Sequence, residues 1–181
     1  MTNHQRKGST SNTQVGRDFE SKSKGFLAKE LKCALQPNFS VKIGINGKLK
    51  KPHSFDLGSN DKKVIVECKS HTWTESGNVP SAKMATWNQA MYFFLAAPKG
   101  LRKIMFVLSS YNQKRKESLA EYYIKTYSHL IPEDVEIWEY DEKNNNAHKM
   151  KIPKCVEHGR LAIECAKLDP EFEKAMAEEG F

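Results

Sequence analysis

The stretch Ser54-Phe55-Asp56-Leu57-Gly58-Ser59-Asn60-Asp61-Lys62-Lys63-Val64-Ile65-Val66-Glu67-Cys68-Lys69 decides how this chain is read. Two β-signals, about Ser54 to Leu57 and Val64 to Lys69, flank the turn cluster Gly58-Ser59-Asn60-Asp61. Side chains alternate faces along a strand, so Val64, Val66 and Cys68 share one face and Ile65, Glu67 and Lys69 the other. Opposed residues on paired strands point the same way. Gathering Phe55, Leu57, Val64 and Val66 on one apolar face therefore brings Asp56 to the face of Glu67 and Lys69. A four-residue loop, Ser59 to Lys62, sets Asp56 opposite Ile65 and one diagonal from Glu67. Such a diagonal spans ~7–8 Å between α-carbons, which two carboxylates can close around a shared cation.

Two carboxylates brought together repel when both are ionised, and a divalent cation relieves the repulsion. Oxygen ligands suit Mg²⁺, which takes one or two carboxylates plus waters and substrate phosphates; Mn²⁺ is expected to substitute. A lysine beside such a site neutralises charge on a phosphoryl transition state or orients water. These are the parts for phosphodiester hydrolysis. Glu-x-Lys on a strand is, taken alone, more often a surface ion pair. The Asp on the preceding strand and the crossover helix that follows are what raise it above that.

Outward from this hairpin, the chain reads as helix, three strands, helix, strand, helix, strand. Val15, Phe19, Phe26, Leu27, Leu31, Ala34 and Leu35 recur at helical spacing, and Pro37-Asn38 is expected to stop that helix. Val41, Ile43 and Ile45 alternate with polar positions as a first strand, closed by the turn signal Asn46-Gly47. Beyond the central hairpin, Ser81 to Ala96 reads as a helix with Trp87, Ala90, Met91, Phe94 and Leu95 on its core face. Ile104 to Leu108 is a strand covered on both faces. A helix follows from about Lys114 to Leu130, with Leu119, Tyr122, Tyr123, Tyr127 and Leu130 inward. Val135 to Tyr140 is the last strand, and Glu142 to Ala147 a polar loop. The first three strands are expected to form an antiparallel meander, with the fourth parallel to a neighbour after its crossover. The fold class is α/β, a central mixed sheet flanked by helices. Residues 1–14 read as a mobile polar tail, 15–150 as the domain, and 151–181 as a C-terminal helical extension that can pack on the core or form a dimer contact.

The chain has 181 residues, 39% hydrophobic and 28% charged, with a formal net charge of +7. That surplus favours a polyanionic partner, with nucleic acid, a membrane surface and simple solubility all open on charge alone. No apolar run approaches the ~20 residues of a membrane span. The N-terminus lacks the apolar stretch of a secretory signal, so a cytoplasmic location and no membrane association are expected. Cys33, Cys68, Cys155 and Cys165 are scattered without zinc-ligand spacing and read as reduced thiols. There is no glycine-rich phosphate loop and no Ser/His/Asp arrangement for nucleophilic catalysis.

Residues Val15 to Leu108, with a likeness that runs on to Tyr140, resemble the PD-(D/E)XK, or restriction-endonuclease-like, nuclease superfamily, whose core is αβββαβ. The motif stands here as Ser54-Phe55-Asp56 and Val64-Ile65-Val66-Glu67-Cys68-Lys69, with Phe55 where the family's proline would be. The resemblance implies that Asp56 and Glu67 ligate the metal with the backbone carbonyl of Cys68, and that Lys69 acts on the attacking water. Gly16-Arg17-Asp18-Phe19-Glu20 is similar to the helix opening of resolvase-like branches, where the glutamate reaches the metal. Glu20 can equally be a solvated carboxylate in a helix's first turn, where it suits the dipole. Gln89 resembles the active-site glutamine of the crossover helix in many members.

The expected function is a metal-dependent endodeoxyribonuclease of restriction-like, phage-type or resolvase-like kind. A nucleic-acid-binding module that retains the fold without cutting is the alternative, and a plain α/β interaction protein a third. Lys48, Lys50 and Lys51, between the first two strands, and Lys114, Arg115 and Lys116 are candidate phosphate contacts. His53 and His71 flank the motif strands. Trp73, on the loop that follows, can stack on a base or cover the core edge, and the second is expected. Cutting both strands of a duplex needs two sites, which makes a homodimer attractive.

Overall fold

The computed structural model describes residues 12–45, 47 and 49–153. Its elements are α1 (Asn12–Glu30), β1 (Gln36–Ile43), β2 (Lys51–Ser59), β3 (Val64–Lys69), α2 (Ser81–Ala96), β4 (Arg102–Leu108), β5 (Tyr111–Asn112), β6 (Glu117–Ser118), α3 (Leu119–Tyr127), β7 (Val135–Asp141) and β8 (Asn146–Lys149). A 3-10 turn, Ser128–Leu130, follows α3. Six strands form one sheet in the order β1-β2-β3-β4-β7-β8, and β5-β6 is a separate two-stranded hairpin. The β1-β2-β3 meander is antiparallel, β3-β4 and β4-β7 are parallel, and β8 returns antiparallel to β7. The protein is thus α/β, a mixed sheet flanked by three helices. No helix among the described residues is long and apolar enough to cross a membrane.

Alternation along the central strands sorts the core into layers. Val64, Val66 and Cys68 of β3, Ile104 and Phe106 of β4, and Trp138 and Tyr140 of β7 cluster with Phe19 and Leu27 of α1. Phe19 and Phe106 stack at 6.0 Å, so α1 lies directly on β4 and β7. On α2, Met84, Trp87, Ala90, Met91 and Phe94 are buried. That helix meets α3 where Trp87 and Tyr123 pack at 4.9 Å and the Tyr123 hydroxyl donates to Asn88 Oδ1 at 2.9 Å. Leu95, Val15 and Leu130, expected inside, are exposed.

Several boundaries differ from the sequence reading, each for a local reason. Helix α1 already includes Asn12 to Gln14, assigned above to the polar tail, and residues 1–11 lie outside the described residues. It ends at Glu30 without help from Pro37-Asn38. Lys32 adopts φ +51°, the Lys32 N–H donates to Lys29 O, and the Cys33 N–H donates to Ala28 O. This pair of bonds is a Schellman closure built on lysine instead of glycine. Pro37 instead sits in β1, opposite Leu57, on an edge strand where a missing N–H is tolerated.

Lys114 to Lys116 form the turn between β5 and β6, not the start of a helix. Asn112 Oδ1 accepts the N–H groups of Lys114 and Arg115 and holds that turn. Helix α3 begins after Ser118 because Ser118 and Glu121 make a reciprocal capping box: the Glu121 N–H donates to Ser118 Oγ, and the Ser118 N–H to Glu121 Oε2. The polar loop expected over Glu142 to Ala147 is a tight turn into β8, with Asp141 Oδ1 accepting from the Lys143 and Asn144 N–H groups. Of the C-terminal extension, residues 154–181 lie outside the described residues.

Candidate active site

Strand β3 is central, between β2 and β4, and its last three residues carry the motif. The β2-β3 ladder is short: Leu57 pairs with Val66, Gly58 with Ile65 and Ser59 with Val64. Strand β3 begins at Val64 as expected, but β2 runs on to Ser59, leaving Asn60 to Lys63 as the connection. The expected diagonal is therefore corrected. Continuing this register by one step puts Asp56 opposite Glu67 instead of Ile65.

The apolar set used to align the hairpin is also corrected. Leu57 joins Val64 and Val66 beneath α1, but Phe55 stacks on Phe94 of α2 at 5.6 Å. Successive odd positions of β2 thus serve different layers. The irregularity lies between them, where the β1-β2 ladder omits the Asn38–Asp56 step and Asn38 takes φ +51°. Asp56 stands at that kink. Its Oδ2 accepts the backbone N–H of Cys68 at 2.7 Å, so a carboxylate occupies the gap where the two strands part.

Asp56, Glu67 and Lys69 nevertheless converge. Glu67 is buried, at 6% exposure, and its Oε2 accepts from Lys69 Nζ at 2.7 Å. Burial raises the Asp56 pKa to about 6, with the Glu67 charge adding to the rise and the Cys68 N–H and Lys69 opposing it. Burial works against the Lys69 ammonium, but the Glu67 carboxylate outweighs it and the lysine is held above its ordinary value. Glu20 reaches the same field from α1. Burial raises its pKa, Lys69 and Arg17 lower it, and Glu67 raises it again. Because α1 starts at Asn12, Glu20 is in the helix's third turn, so the first-turn dipole explanation does not apply.

The other candidates divide. Gln89 is exposed, and no hydrogen bond links it to Asp56, Glu67 or Lys69 among the described residues. Its neighbour one turn on, Phe93, stacks on His53 at 3.9 Å. His53 Nε2 is buried without a hydrogen-bond partner, 3.6 Å from Glu67 Oε1, so this imidazole closes one side of the acidic cluster. The sequence reading left His53 just outside the second strand; it lies within β2, and its stacking on α2 had no sequence signal. His71 Nδ1 accepts the indole N–H of Trp87 at 2.9 Å.

Trp73 is buried, as expected of a core-edge cover. Its N–H and its indole donate to Ser110, and Arg115 lies over its ring at 5.2 Å. Lys114 and Lys116 are exposed, as are Lys50 and Lys51, while Lys48 lies outside the described residues. Cys68 is buried and its thiol is pushed well up by burial, which leaves it inert and only its backbone available.

No group of three or more His, Cys, Asp or Glu side chains has metal-holding geometry among the described residues. Mg²⁺ is commonly held by one or two protein carboxylates, the remaining positions going to water and phosphate oxygens. A buried acid pair, one member of which burial and then its neighbour's charge push up, is the electrostatic setting that such an ion relieves. The donor set therefore fits a hard divalent cation held by Asp56 and Glu67. No family model matches the chain, and neither does any curated protein or solved structure.

Proposed function

We propose that this protein is a metal-dependent endodeoxyribonuclease with a restriction-endonuclease-like αβββαβ core. The observation that carries the reading is the meeting of Asp56, Glu67 and Lys69 where β2 and β3 part, with Glu20 facing them from α1. The element order and the parallel crossover from β3 to β4 also support it. Asp56 and Glu67 would hold the ion, with the Cys68 carbonyl beside them. A bound Mg²⁺ polarises a phosphodiester and lowers the pKa of a coordinated water. Lys69, kept cationic by Glu67, offsets the charge that grows on the phosphoryl oxygens and orients the water that attacks them. The exposed Lys50 before β2, Lys51 at its start and the basic β5-β6 turn supply sequence-independent phosphate contacts.

A plasmid-nicking assay with Mg²⁺ or Mn²⁺ tests the proposal. Cleavage abolished by EDTA, by Asp56→Ala and by Glu67→Ala is the expected result. A salt-dependent gel shift without nicking would replace it with the non-cutting, nucleic-acid-binding reading.

A further inference from the structure

An indole N–H can only donate, so the 2.9 Å bond from Trp87 Nε1 requires a lone pair on His71 Nδ1. The ring's hydrogen must then sit on Nε2. Trp87 is fully buried on α2 and wedged against Tyr123, which leaves the donated bond no freedom to turn. His71 is half-buried, two residues past Lys69 on the segment leaving β3, and its Nε2–H has no acceptor among the described residues. Burial, with the Lys83 and Lys69 charges, lowers the imidazole to about 4, so it stays neutral.

Lys83 stands one helical turn before Trp87, on the same side of α2. It is exposed and forms no ion pair among the described residues. Lys69, by contrast, is committed to Glu67. Two residues beyond Lys69 there is thus a second pair of donors, one neutral and fixed, one cationic, neither engaged by a protein acceptor among the described residues. Their natural ligand accepts hydrogen bonds and carries negative charge.

We propose that His71 and Lys83 form a second phosphate subsite, which takes the phosphodiester next to the one lying against Asp56 and Glu67. The inference rests on the nuclease reading and extends it, assigning a strand-positioning role to two residues outside the acidic cluster. His71 serves as a donor whose direction is set by Trp87, and Lys83 supplies the charge. These are positioning residues, since neither touches the bond that breaks.

Metal-free binding of a short fluorescein-labelled DNA duplex, followed by anisotropy across a salt series, separates the two contributions. Lys83→Gln should reduce the slope of log K against log salt by about one, as the loss of one phosphate contact does. His71→Phe should weaken binding about tenfold with the slope unchanged, because a neutral donor releases no counterion. His71→Gln should recover part of that loss. Because His71→Phe strands the buried indole N–H, the parent's imidazole is also read directly: two-bond ¹H–¹⁵N correlations at neutral pH should show the Nε2–H tautomer, and Trp87→Phe should mix the tautomers.

A slope unchanged in Lys83→Gln, or an Nδ1–H tautomer in the parent, overturns the subsite while leaving nicking by the parent intact. A parent that neither binds nor nicks DNA overturns the nuclease reading itself, and the subsite with it.

Discussion

The proton on Asp56 is held by its surroundings, and the sign of the effect can be worked through. Its pKa is about 6 in the fold against 3.8 for the free side chain, because burial and then Glu67 disfavour the charge. Between those values the folded state holds the extra proton, so stability falls as pH rises through that window and is level above it. Asp56→Asn keeps an acceptor for the Cys68 N–H and removes the charge. In metal-free buffer it should melt higher than the parent at pH 7.5, by on the order of 1–3 kcal/mol, and match it near pH 4. Thermal melts at the two pH values check this; a variant that melts lower at pH 7.5 would refute the assignment. Lys69→Ala is expected to lower turnover by about 10²-fold or more while leaving metal binding largely intact. Calorimetric Mn²⁺ titration beside single-turnover rates separates the two effects. At this scale the sequence indicated that Asp56, Glu67 and Lys69 meet, but not that Gln89 stays apart from them. It was a poor guide to how, since nothing in the letters shows that Asp56 reaches across to a backbone N–H or that Phe55 turns away from Leu57.

At the scale of elements, strand and helix identity in the core was legible because hydrophobic alternation and helical periodicity persist through burial. Ends were harder to read. Pro37-Asn38 resembles a stop signal, yet Lys32 already closes α1 in a left-handed conformation that costs a branched backbone roughly 1–2 kcal/mol. Lys32→Gly should therefore stabilise the protein by about 0.5–1 kcal/mol, after allowing for glycine's greater freedom when unfolded. A chemical-denaturation midpoint that moves down would exclude it. The Ser118-x-x-Glu121 box was present in the sequence as a helix start but was overridden by the charged run before it. Gly58 makes the opposite case. A β-carbon there would meet the Phe39 ring at 2.3 Å, since that ring lies across the bare backbone and ties β1 to β2. Gly58→Ala should cost about 1–3 kcal/mol, and Phe39→Leu on that background should return part of it. Denaturation of the single and double variants measures both effects.

For the whole molecule, the order of elements was sufficient to foresee a mixed sheet with a parallel centre. The two-residue strands β5 and β6 and the final β8 were too short and too polar to leave a pattern. The sheet's two margins have a consequence for assembly. On one side β1 presents Pro37, a left-handed Asn38 and exposed lysine; on the other, β8 is four residues long and ends in His148 and Lys149. Both borders are the kind that repel a visiting strand. On the proposed nuclease reading, two copies that sever opposite strands of one duplex are therefore not expected to join by extending this sheet. The partnership would have to be made through helices, loops or the nucleic acid itself, and its geometry would be free to vary with the spacing of the two cuts.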